Sequence, residues 1–259
     1  MTLLKSIARR LAPQSYSKLQ ERRTKSLLKK VTARILERYG PVVQDGPFAD
    51  MKFVSEASNS SVVPKIVGSY ESELQDIIRG LVSDKYDAII NIGCAEGYYA
   101  VGLARLFPSA SVHAFDLDPL ARRLCAEMAA ANELTVAIHG ECTAQLLNEL
   151  VTKFGRSLIV CDCEGAEVQI LDPSVVNGLS ACDMLVELHD FVDPTISGTI
   201  QARFQDSHEV RIIDSQPRNP AEFSAASFLS PLEQRVAVSE FRPNNMQWAF
   251  MRAKEAKIA

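Results

Sequence analysis

The feature that most constrains the fold of this chain is a rhythm between residues 86 and 188. Short apolar runs alternate there with segments of helix length. The runs are Tyr86–Ile92, Ser111–Phe115, Thr135–His139, Leu158–Cys161 and Met184–Leu188. Between them lie Tyr98–Leu106, Leu120–Asn132, Thr143–Phe154 and Ala166–Leu171, each patterned as a helix. Strands this apolar need cover on both faces, and helical connections supply it. The pattern therefore predicts an α/β, doubly wound, mostly parallel sheet. A helix near Ile196–Gln205 and two later strands, His208–Asp214 and Gln247–Arg252, would add an antiparallel edge and bring the sheet to seven strands.

A chain of 259 residues that is 47% apolar suits one large domain with extensions. Residues 85–255 would be the sheet domain. Residues 1–40 hold 11 Lys and Arg against 2 Asp and Glu, whereas the rest holds 17 against 30, so a basic helical extension joins an acidic body. Leu3, Leu4, Ile7 and Leu11 fall at helical spacing, Pro13 interrupts them, and a second helix over Ser17–Tyr39 ends at Gly40-Pro41. Residues 41–84 form a lead-in or lid segment with loops around Gly46, Pro47, Pro64 and Gly68, a Ser/Asn cluster at 57–61, and a helix over Glu71–Leu81 for which Ser69 and Glu73 offer capping groups. The basic extension is open to several uses: a solvated face, peripheral contact with an anionic inner membrane surface, a partner subunit, or nucleic acid. It carries few aromatics for base stacking, Tyr16 and Tyr39. No apolar run approaches the roughly 18–20 residues of a membrane span. The start lacks the unbroken apolar core of a signal peptide. The six cysteines form no C-x-x-C pair, which fits a reducing cytoplasm.

The first strand runs directly into Asn91-Ile-Gly-Cys-Ala-Glu-Gly97 and then into a helix. Glycines here permit positive φ and close backbone approach. Ligands of open α/β sheets bind beyond the carboxyl ends of the strands, so this turn is the expected cofactor site. The dinucleotide pattern G-x-G-x-x-G and the phosphate loop G-x-x-x-x-G-K-[ST] are both absent. Asp116 closes the second strand, where a carboxylate can accept hydrogen bonds from two ribose hydroxyls.

These pieces, followed by His113-Ala-Phe-Asp-Leu-Asp-Pro119, Asp162-Cys-Glu-Gly-Ala-Glu167 and Val186-Glu-Leu-His189, resemble in order and type the class I S-adenosylmethionine-dependent methyltransferases, and in particular the FkbM-like family. The resemblance covers about residues 85–190. It implies a Rossmann-like methyltransferase fold binding S-adenosyl-L-methionine, with Gly93 and Gly97 along the methionine and ribose, Asp116 on the ribose and Gly140-Glu141-Cys142 near the adenine. Tyr70 and Glu71, in a lead-in resembling that of the family, would fold over the cofactor together with Gly46-Pro-Phe48. The first position of the glycine motif is usually acidic in the family and is Asn91 here. Glu96 or Glu71 would compensate, and Asp162 would also border the cofactor.

Residues two apart on a strand share a face, so Asp162 and Glu164, and Glu187 and His189, should meet at one end of the site. His189 is a candidate general base for a hydroxyl acceptor, with Glu187 and Asp162 as catalytic partners. Alternatively Asp162, Glu164 and Glu187 could ligate Mg²⁺. Glu167 reads more simply as an acid at a helix start. The leading expectation is methylation of a hydroxyl on a sugar, glycan or small metabolite. Its rivals are a nucleic-acid methyltransferase anchored by the basic arm, although the N-P-P-Y type element is absent, and a non-catalytic module with a degenerate pocket. The acceptor site should lie among residues 41–75 and 191–246, with Arg218, Asn219, Arg242, Asn244 and Asn245 as polar candidates.

Overall fold

The structure, a computed structural model, describes residues 13–54, 61–242 and 245–254, with side chains from residue 22 onward. Leu3, Leu4, Ile7, Leu11, Asn244 and most of the Ser/Asn cluster lie outside these residues. A helix α1 (Pro13–Tyr39) opens the described chain and includes Pro13, beginning earlier than the expected Ser17. It ends where Gly40 turns to φ +65. Two short helices follow, α2 (Val62–Val67) and α3 (Gln75–Leu81).

Seven strands form one sheet: β1 (Ala88–Ile92), β2 (Ser111–Phe115), β3 (Ala137–His139), β4 (Ser157–Cys161), β5 (Asp183–Leu188), β6 (His208–Asp214) and β7 (Gln247–Ala253). Their order is β3-β2-β1-β4-β5-β7-β6. The first five are parallel, and β7 runs antiparallel to both β5 and β6. The expected doubly wound α/β sheet with an N-terminal helix is therefore present. Ile92 pairs with Phe115 and with Cys161, and Cys161 pairs with Val186, so the carboxyl ends of four central strands come level at one edge. The strand order reverses between β1 and β4, which opens a crevice there.

Helices α4 (Tyr98–Leu106), α5 (Pro119–Ala131), α6 (Ala144–Phe154), α7 (Glu167–Ile170), α8 (Ile196–Phe204) and α9 (Pro231–Ala237) cover the sheet. Alternate residues of each strand serve opposite faces. Ile89, Leu158, Val160, Leu185 and Trp248 join one core with Val31 and Ile35 of α1, Ile66 of α2, Ile78 of α3, Leu103 of α4 and Met128 of α5. Ile90, Ile92, Ile159, Cys161, Met184 and Val186 join the other with Leu147 and Val151 of α6 and Ile200 and Phe204 of α8.

Several expectations are corrected in the lead-in. Phe48 does not lie over a cofactor site. It is buried against α4, where a Cβ added to Gly102 would stand 2.6 Å from its ring. The helix expected over Glu71–Leu81 is a 3-10 turn, Ser72–Leu74, followed by α3, because Glu71 takes φ +44 and breaks the helical path. Ser69 caps nothing; its hydroxyl donates to Pro64 O at 3.4 Å and Val238 O at 3.3 Å. Glu73 pairs instead with Arg218 at 2.6 Å.

Candidate active site

The glycine turn is shaped first by its neighbours in the chain. Gly93 has φ +76, and a Cβ there would stand 1.6 Å from the carbonyl oxygen of Asp162 at the end of β4. Only glycine lets the two strand ends approach so closely. The Gly93 and Cys94 amides both donate to Phe115 O, at 2.9 and 2.8 Å, which ties the turn to β2. Asp116 then receives Ala95 N–H at 2.8 Å on one carboxylate oxygen and Asp118 N–H at 2.9 Å on the other. Its position is thus fixed by main chain from both sides.

A cleft of about 940 Å³ opens beyond this edge. Of the residues expected to hold a cofactor, Tyr70, Gly93, Asp116, Glu141 and Asp162 line it. Asn91, Glu96, Gly97 and Glu71 do not. Gly97, at φ +98, makes room for α5, since a Cβ would meet Cys125 Sγ at 2.8 Å. Glu96 is fully buried and forms an ion pair with Lys65, so it does not stand in for an acid at position 91. The Lys65 ammonium also lies 4.5 Å from the centre of the Tyr70 ring. Asn91 is 1% exposed; its Nδ2 donates to Val160 O at 3.3 Å, and its buried Oδ1 has no hydrogen-bond partner among the described residues. Glu71 lies behind Tyr70, bonded to the Tyr99 hydroxyl and paired with Arg242. Burial pushes the Glu71 carboxyl up to about 8 against the pull of Arg242.

At the other end of the cleft the expected acid and histidine residues meet. His189 is 1% exposed, and its Nδ1 lies 2.7 Å from Glu167 Oε1. Around Nε2 stand Glu187 Oε2 at 3.4 Å, Asp162 Oδ1 at 3.5 Å and Glu164 Oε2 at 3.6 Å. Burial alone would lower the pKa of His189, but the Glu167 hydrogen bond and the charges of Glu167, Glu187 and Glu164 overcome it and raise the value. Glu167 shows the converse. Burial would raise it, yet the hydrogen bonds from His189 and from the backbone keep it below the usual carboxylate range. Burial first, then Glu187, raises Asp162 well above that range. Glu167 does start α7, as a simple acid at a helix start would, but it also orients the imidazole. The spacing Glu167 to His189 could not reveal this, because the two are brought together only by the β4–β5 pairing.

Among the described residues, the set that can converge on one cation is Asp162, Glu164 and His189, whose ligand atoms lie within 4.8 Å of one another. This differs from the expected Asp162, Glu164 and Glu187: His189 joins the two acids, and Glu187 pairs with Arg242 through Oε1 while its Oε2 stands 3.4 Å from His189 Nε2. Arg242 also pairs with Glu71 and Glu240, and it lines the cleft along with Glu240 and Phe241. Arg242, named from the sequence, does line the cleft; Lys65, Glu240, Phe241 and Met246 line it too and lie within the ranges expected for the acceptor site, although no motif singled them out. Arg218, Asn219 and Asn245, offered as acceptor contacts, do not line the cleft. Arg218 binds Glu73 and Glu240, Asn219 caps a short turn by accepting from Ala221 N–H at 3.2 Å, and Asn245 accepts from the Ser215 hydroxyl at 2.8 Å. The cysteines are free thiols, five buried and Cys163 half-buried.

No family model matches the chain, and no curated protein matches it. Among solved structures, it is similar to precorrin 8w decarboxylase from Methanobacterium thermoautotrophicum, at 15% identity over 69% of this chain and 89% of that one, with a TM-score of 0.44. It is similar to a precorrin-6y C5,15-methyltransferase from Geobacter metallireducens, at 13% identity over 70% and 89%, with a TM-score of 0.45. It is also similar to an rRNA methylase from Streptococcus thermophilus, at 9% identity over 70% and 97%, with a TM-score of 0.45.

Proposed function

We propose that this chain is an S-adenosyl-L-methionine-dependent methyltransferase acting on a hydroxyl oxygen of a sugar, glycan or small metabolite. One observation carries the reading: a single cleft at the switch point of the sheet holds Asp116 at one end and the buried His189–Glu167 pair, ringed by carboxylates, at the other. The motif resemblance of residues 85–190 supports it independently.

The residues fit the cofactor. Each Asp116 oxygen uses one backbone amide and keeps a further lone pair for a ribose hydroxyl donor. Ile92, Phe115, Cys142 and Ile170 supply apolar wall for a nucleoside ring, and Glu141 borders the same end. The cleft volume lies at the upper end of the roughly 300–1,000 Å³ typical of small-ligand sites. The bound cofactor supplies a methyl group on a positively charged sulfur. The chain supplies position and environment. Tyr70 and Arg242 close one side and keep water out, and the carboxylates beside His189 favour the positive charge and draw off the acceptor's proton.

The charge of the cleft bears on the acceptor. Asp116, Asp118, Glu141, Asp162, Glu164, Glu187 and Glu240 line it, against the cations Lys65 and Arg242. Such a wall repels a phosphate backbone, which weighs against the nucleic-acid alternative despite the basic arm. Within that arm, Lys30 and Arg34 pair with Glu233 of α9, and Arg38 stacks 4.5 Å from the Phe228 ring, so part of its basic face packs against the body. No described helix is long and apolar enough to cross a membrane. A screen of hydroxyl-bearing sugars and metabolites with radiolabelled methyl donor tests the proposal. Label transferred to a neutral hydroxyl acceptor supports it. Label transferred to RNA or DNA alone would replace it with the nucleic-acid reading.

A further inference from the structure

The acceptor end of the cleft has a charge imbalance that the surrounding protein groups leave in place. The proton on His189 Nδ1 is committed to Glu167. Nε2 of this buried side chain makes no hydrogen bond among the described residues, and its neighbours are the oxygens of Glu187, Asp162 and Glu164 at 3.4, 3.5 and 3.6 Å. All of these oxygens are acceptors when ionised. Asp162 Oδ1 is itself buried and makes no hydrogen bond among the described residues. The lone pairs of His189 Nε2, Asp162 Oδ1 and Glu187 face one another largely away from water, which is costly unless a cation lies between them, and the exposed Glu164 stands at the rim. A proton on Nε2 can serve one oxygen at a time. A divalent ion serves several at once.

We propose that His189 Nε2, Asp162 and Glu164 form a binding site for a divalent transition-metal ion. For an ion with ligands at about 2.1 Å, tetrahedral ligand atoms stand about 3.4 Å apart. The nitrogen–oxygen separations of 3.5 and 3.6 Å are close to that spacing. Glu167, fully buried, supports the site from behind. A metal-bound imidazole ordinarily donates its other N–H to a carboxylate, which fixes the tautomer and turns the lone pair toward the ion. An imidazole nitrogen among carboxylates suits Mn²⁺, Fe²⁺ or Zn²⁺ better than Mg²⁺ or Ca²⁺, which favour oxygen ligands throughout. Arg242 holds Glu187 Oε1 and keeps that carboxylate at the margin of the site. Glu164, whose side chain is 76% exposed, sits at the rim, so one side of the ion faces the cleft. The use made of the ion rests on the methyl-transfer reading: it would hold the acceptor hydroxyl and make its proton easier to remove.

The test is a titration of Mn²⁺ into the purified full-length protein, read by the loss of the free-ion paramagnetic resonance signal. Binding of S-adenosylhomocysteine is measured by calorimetry on the same preparations. One Mn²⁺ site per chain is expected, displaced by Zn²⁺ and poorly displaced by Mg²⁺. The E164Q variant, altered at an exposed side chain, should weaken it at least about tenfold, a loss of about 1.4 kcal/mol. E167Q, altered behind the imidazole, should weaken it about 10- to 100-fold. H189A should abolish it. No Mn²⁺ site, or a site that E164Q and H189A leave unchanged, would overturn the proposal. A Mn²⁺ site that behaves as expected in a protein that binds no S-adenosylhomocysteine would uphold the metal site and remove the methyltransferase reading instead.

Discussion

Asn91 stands on β1 and Asp116 just past the end of the neighbouring β2, yet their expected sensitivities differ sharply. Asp116 lines the cleft with both oxygens anchored by amides, so its remaining lone pairs are aimed and need no reorganisation. Two charge-assisted hydrogen bonds at about 1.5–3 kcal/mol each imply that Asp116→Ala weakens cofactor binding by about 100-fold or more. Calorimetry with S-adenosylhomocysteine measures this. Asn91 stands inside the sheet and does not line the cleft. Asn91→Asp would remove its donor to Val160 O and bury a carboxylate beside a carbonyl. The expected result is a loss of at least about 2 kcal/mol in stability, seen in denaturant unfolding, with no gain in cofactor affinity. A large gain in affinity would instead mark the pocket as degenerate. Gly93→Ala sets a Cβ 1.6 Å from the Asp162 carbonyl at φ +76. A main-chain atom cannot swing aside, so thermal unfolding should show a loss of more than about 3 kcal/mol or no folded protein.

Helix α1 is anchored by Val31 and Ile35 in the core and tied to α9 through Glu233, which accepts from the Ser230 side chain and backbone in a capping box and pairs with Lys30 at 3.1 Å and Arg34 at 2.7 Å. The Ser230 hydrogen bonds and Lys30 lower this carboxyl from 4.5 to about 2. A depressed folded value means that its contribution is fully present above pH 4.5 and is lost as pH falls through about 2. Limited acid proteolysis should therefore cut the arm faster as pH drops across that window, and Glu233→Gln should show the fast cutting at neutral pH. Helix α1 was legible from its helical spacing of apolar residues, and the central strands as short unbroken apolar runs between helix-length segments. Ile89 and Ile90 are both fully buried, and each serves a different core. The strand expected over Thr135–His139 shrinks to Ala137–His139 at the sheet edge, where its residues are only half-buried and packing does not extend it. Helix α2, Val-Val-Pro-Lys-Ile-Val, was illegible: its β-branched residues and a proline oppose helix in isolation, and burial of five of its six residues overrides them. Helix α9 did carry readable signals, Ser230, Pro231 and Glu233, which match an N-cap, first-turn proline and capping box.

The molecule as a whole joins an acidic cleft to a basic arm, an asymmetry that follows from the uneven distribution of charge along the chain. The strand-end residues of the site, Asp116, Asp162, Glu187 and His189, were legible for the same reason as the sheet: position along a strand determines the edge at which a residue emerges. Arg242 was legible only as one polar candidate among several, and Lys65 and Glu240 were not singled out, because the wall they build with Arg242 joins two segments far apart in the chain. The Lys65–Glu96 pair shows the consequence. Glu96 stands in the glycine motif and reads as a cofactor contact, but a lysine from α2, 31 positions earlier, occupies it. The central claim is that this cleft binds a methyl donor. Titration of S-adenosylmethionine and S-adenosylhomocysteine into the purified chain, with NAD as the control, tests it most directly. One site per chain is predicted for both sulfur compounds and none for NAD. Absence of binding by either sulfur compound, or equal binding of NAD, would contradict it.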